Sequence, residues 1–129
     1  MNATRWQDDI IREEEGVSFF RNNIVRVLMG GTIFFLLTHF FVLAYFARPT
    51  ERSMILHYNV YFGVEIQSAW WQLFLLPLAG VFFFMVHGIF ARRLYRACER
   101  IAAYLLLLGA WMLNVGLLIA GGGVAFINY

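Results

Sequence analysis

The chain has 129 residues, of which 61% are hydrophobic, 19% aromatic and only 14% charged, with a formal net charge of +2. A soluble domain would carry about 25% charged residues, so this composition excludes an ordinary water-soluble fold and points to a bilayer-resident protein. All ten basic residues are arginines lying between apolar runs, and no basic face interleaved with stacking aromatics is present, which excludes nucleic acid as a partner.

From the N-terminus, residues 4–26 predict an amphipathic helix on the cytoplasmic membrane surface. Trp6, Ile10, Val17, Phe20 and Ile24 recur at helical spacing as one apolar stripe, and Thr4 with Gln7 fits a capping box. Asp8, Asp9 and Glu13 to Glu15 mostly face elsewhere. The stripe suits either the lipid interface or a partner protein, because anionic headgroups would repel those acids.

A bilayer core about 30 Å thick takes about 20 apolar residues in helical form, since backbone polar groups must be satisfied internally there. The first such span is predicted over 27–47, where Arg48-Pro49 ends it. The loop at 48–69 follows, and its Met54 to Ile66 stretch is β-branched and aromatic around an Asn59 to Gly63 turn, which fits a short extended hairpin. His57, Tyr58, Asn59, Tyr61, Gly63 and Glu65 gather polar and aromatic chemistry here. They suit an interfacial lid or a recognition surface for a peptide or small ligand. No nucleophile, base and orienter occur together, so no catalytic site and no metal site are expected.

The second span is predicted over 70–91, opening at Trp70-Trp71 and closing at Arg92-Arg93, with Pro77 removing one backbone bond and kinking the helix. The loop at 92–100 carries Arg92, Arg93, Arg96 and Arg100. These fit either anionic lipid or the acidic N-terminal helix. The lone Cys98 allows no disulfide and builds no zinc site. The third span, 101–127, repeats Ala102, Gly109, Gly116 and Gly123 every seven residues, with Gly116-x-x-x-Ala120 and Gly121-x-x-x-Ala125 beside them. Such a small-residue seam lets helices approach closely, either within this chain or against another subunit.

Arginines set the orientation. Four precede the first span and four separate the second from the third, against two between the first and second and none after the third. Eight against two places the N-terminus in the cytoplasm and the C-terminus outside. Within the spans, His39 and His87 differ in depth by roughly 10 Å, which argues against a shared haem. Each is expected to bond a neighbouring helix as neutral imidazole, as are Thr38 and Asn114. No acid lies inside a span, so a carboxylate-based ion or proton pathway is not expected.

The order of a first membrane helix, then L-H-Y-N-V-Y-F-G-V-E, then W-W-x-L-F-L-L-P-L resembles a group of small uncharacterised bacterial three-helix membrane proteins. It is also distantly similar to the domain of unknown function in Sdp-type toxin-immunity membrane proteins. The resemblance covers residues 54–80 and implies a bacterial inner-membrane location. The sequence thus predicts an all-α, single-domain membrane protein with three transmembrane helices and no cofactor. Its expected role is non-enzymatic, as an accessory or scaffold subunit meeting other membrane subunits or itself. The alternative is a binding or toxin-immunity-type protein acting through the outer loop.

Overall fold

The computed structural model describes residues 18–47 and 54–128. Three helices, α1 (Asn23–Phe46), α2 (Leu75–Arg96) and α3 (Arg100–Ile127), are each long and apolar enough to cross a membrane. The chain is accordingly a multi-pass membrane protein. At about 1.5 Å per residue α3 spans roughly 40 Å, so it tilts or projects beyond the hydrocarbon.

The third helix is the axis of the bundle: α3 packs along both α1 and α2, which touch each other little. Its inward stripe is Ala103, Leu107, Ala110, Asn114, Gly121 and Ala125, spaced by three, four or seven residues as one helical face. Toward the arginine-bearing end, Phe19, Val25, Ala91, Tyr95, Ala103 and Leu107 form one apolar cluster. Leu43, Ala47, Met54, Leu73 and Ala125 form a second at the opposite end. Outside these clusters, large apolar side chains such as Phe34, Phe41, Phe82 and Phe90 are exposed, as lipid-facing positions require.

Helix boundaries differ from the sequence expectation for identifiable reasons. Asn22 caps α1, accepting from the Ile24 and Val25 amides, so residues 23–26 belong to the first spanning helix and not to a surface helix over 4–26. Ahead of the cap, Phe19–Arg21 make a single 3-10 turn. Residues 4–17 of the expected surface helix lie outside the described residues. The second span opens as a 3-10 helix, Trp70–Phe74, before α2 begins. Pro77 is the third residue of α2, in the first turn, where amides lack an intrahelical acceptor. It therefore sits at the junction of the two helix types and kinks no helix interior.

The connection between α2 and α3 is only Ala97 to Glu99, because α2 continues through Arg96. Arg92, Arg93 and Arg96 thus lie on the last turns of α2, where Arg93 and Arg96 complement the helix dipole, and Arg100 opens α3. Cys98 takes the left-handed position of a helix C-cap at φ +64°. The Glu99 amide donates to the Leu94 carbonyl and the Cys98 amide to Tyr95, the paired closure that normally recruits glycine.

Between α1 and α2, β1 (Met54–Asn59) pairs antiparallel with β2 (Gly63–Ser68), with irregular register on either side of His57. Gly63 has φ +79°, a conformation that costs glycine nothing. Asn128 ties β1 to the end of α3. Its Oδ1 accepts from the Ile55 amide at 2.7 Å, and its Nδ2 donates to the Ile55 carbonyl at 2.7 Å and to Val124 at 2.8 Å.

Candidate functional site

Three polar side chains are buried in the described bundle: Thr32 and His39 on α1 and Asn114 on α3. The hydrogen bonds of Thr32 and Asn114 run within their own helices. Thr32 Oγ1 donates to the Leu28 carbonyl at 2.8 Å and Asn114 Nδ2 to Ala110 at 2.9 Å, as Thr38 Oγ1 does to Phe34 at 2.9 Å. The expected interhelical bonds of Thr38 and Asn114 are therefore absent among the described residues. Back-bonding to the carbonyl four residues earlier satisfies both in place. Across the helix interface Asn114 instead packs its Oδ1 against Gly80 of α2.

His39 packs its imidazole on Gly121 of α3, where any side chain would collide with it. Its Nε2 is buried and finds no hydrogen-bond partner among the described residues, contrary to the expectation that it bonds a neighbouring helix. His87 is half-buried, and its Nδ1–H donates to the Phe83 carbonyl at 2.8 Å, within α2. Its ring lies 3.9 Å from the Cβ position of Gly109. Gly109 and Gly121 are separated by twelve residues, roughly 18 Å along α3, so the two imidazoles share no site. Among the described residues no cluster of metal-ligating side chains occurs.

The seven-residue seam faces outward at Gly116 and Gly123, while at Gly109 it lies within van der Waals reach of His87 on α2. Gly109, Gly116, Ala120 and Gly123 are exposed and Ala102 half-buried, and nothing lies within 4 Å of the Cβ positions of Gly116 and Gly123. The inward positions are the neighbouring Ala103 and Ala110, about 100° around the helix. Three residues beyond each seam position stand Leu105, Met112, Ile119 and Phe126, exposed at 62, 61, 70 and 77%. This second series escaped the sequence reading, although its spacing is visible in the chain. The adjacent pair Gly121 and Ala125 does face inward.

Of the outer-loop candidates, the backbones of His57, Tyr58 and Asn59 lie on β1, and those of Gly63 and Glu65 on β2. Asn59 Oδ1 accepts from the Tyr61 amide at 2.9 Å, a local turn contact. The tip between the strands, Val60, Tyr61 and Phe62, is exposed at 83, 91 and 81%. At the other end of the bundle, the Arg92 guanidinium stacks on Phe20 at 5.4 Å and that of Arg100 on Tyr95 at 5.6 Å, each a cation over a ring face. No family model, curated protein or solved structure matches the chain.

Proposed function

We propose that this protein is a non-enzymatic component of a membrane assembly. It acts as an accessory or scaffold subunit that meets another subunit, or a second copy of itself, along the outward seam of α3. The observation that supports this reading most is the pair of heptad series on one exposed face. Ala102, Gly109, Gly116 and Gly123 make a groove beside the ridge of Leu105, Met112, Ile119 and Phe126. Small residues at one heptad position and large ones at the other suit a left-handed helix pair. In lipid, apolar burial gives little drive and close van der Waals packing supplies the contact. Lipid exposure requires apolar residues, but it does not require a seven-residue register kept over four heptads. The arginine split supports a cytoplasmic N-terminus, and the loop resemblance favours a bacterial inner membrane.

Gly116→Leu tests the reading. A Cβ there has no described neighbour within 4 Å, so the fold should change by less than about 0.5 kcal/mol in a detergent unfolding titration. Association in nanodiscs or mild detergent should fall by at least about tenfold, roughly 1.4 kcal/mol. A wild-type protein that purifies as a clean monomer without companions refutes the proposal.

A second reading, recognition of a peptide or small ligand by the hairpin, draws on the exposed Val60 to Phe62 tip. Replacing His57, Asn59 and Glu65 together by alanine separates the two. Loss of assembly favours the subunit, and loss of ligand protection with assembly intact favours the binder.

A further inference from the structure

We propose that a cleft between α1 and α2 at the arginine-bearing end holds one anionic phospholipid, an acyl chain lying along α2 and the headgroup meeting Arg92. The cleft measures about 250 Å3 and exists because α3 packs along both other helices while α1 and α2 touch little. Phe84, Met85, Gly88 and Ile89 of α2 form one wall and Met29 of α1 the facing one. Nothing lies within 4 Å of the Cβ position of Gly88, so the wall carries a slot at that point. The methionines are unbranched and polarisable, suited to following a flexible hydrocarbon chain.

Phe19 and Phe20 close the top of the cleft, where Arg92 is the single charged lining residue among the described residues. The guanidinium lies over the Phe20 ring, which uses its flat face and leaves the N–H edge to grip a phosphate. Arg21 and Arg26 stand at the start of α1 and Arg93 beside Arg92, adding positive charge at the same end of the bundle. An apolar slot of this kind under a cation matches a phospholipid, whose chain and negative head are covalently joined. The acidic segment Asp8 to Glu15 could meet Arg92, but its charges could not enter the apolar slot without a heavy desolvation cost.

The test is native mass spectrometry of the full chain released from nanodiscs holding equal phosphatidylglycerol and phosphatidylcholine. The wild type should retain one phosphatidylglycerol, preferred by at least about fivefold, the factor expected for one arginine at a membrane surface. Gly88→Leu fills the slot and should lose retention of both lipids, with its helical circular dichroism and melting temperature unchanged. Arg92→Gln should keep a lipid and lose the headgroup preference. Equal retention of the two lipids by the wild type, or undiminished phosphatidylglycerol on Gly88→Leu, overturns the proposal. So does retention that appears only after Asp8, Asp9 and Glu13 to Glu15 are changed to their amides, since the cleft would then belong to the chain's own N-terminal segment.

Discussion

Gly121→Leu should destabilise the protein by about 3 kcal/mol or more, the upper range for forcing volume into a packed interior. A Cβ at this position would run into His39 Nε2 and reach Cδ2 at 2.9 Å and Cε1 at 3.0 Å. The imidazole cannot swing aside cheaply, because it is 1% exposed in the middle of the bundle. Between the two apolar clusters, contact between α1 and α3 therefore depends on a flat patch of α3 backbone. Leucine would drive the helices apart there and open Leu43 and Ala125 in the adjoining cluster.

Two controls give this expectation its force. Gly123→Leu, two residues on and facing open space, should cost under about 0.5 kcal/mol. In a His39→Ala background the space is vacated, so part of the Gly121→Leu penalty should disappear, giving a coupling of about 1 to 3 kcal/mol in the double-mutant cycle. The measurement is a reversible unfolding titration in mixed detergent micelles followed by tryptophan fluorescence. Equal penalties at 121 and 123 would mean that α3 is rotated away from the arrangement described.

These two glycines also explain what the sequence disclosed and what it withheld. The three spans were legible because membrane thickness translates directly into about 20 apolar residues. The rotation of α3 was not, because small residues occupy two adjacent heptad positions, Ala102 and Gly109 beside Ala103 and Ala110. Periodicity finds a seam but cannot say which of two neighbouring seams faces inward. That choice is made by contacts distant in sequence, His39 on Gly121 and Asn114 on Gly80. Pro77 misled for a related reason: its effect depends on where the helix starts, and the preceding 3-10 turn moves that start. The outward heptads of glycine and large apolar residues were both present in the chain, but their meaning as a candidate contact face came only with the orientation.

Asn22→Ala should cost about 2 kcal/mol, a large effect for one exchange at a helix cap. The amide is fully used. Its Oδ1 accepts from the Ile24 amide at 2.9 Å and the Val25 amide at 3.3 Å, and its Nδ2 donates to the hydroxyls of Tyr104 at 2.8 Å and Tyr95 at 3.2 Å. The first pair caps α1, worth about 1 kcal/mol. The second pair joins the start of α1 to the end of α2 and the first turns of α3, at roughly 0.6 kcal/mol for each interhelical bond of this kind. Tyr104→Phe removes one of those tertiary bonds while leaving the cap, so it should cost about a third of the Asn22→Ala penalty. Hydrogen exchange would locate the difference: Asn22→Ala should lower protection in the first turn of α1, and Tyr104→Phe should not. Protection lost equally in both variants would place the work of Asn22 in the tyrosine contacts and not in the cap.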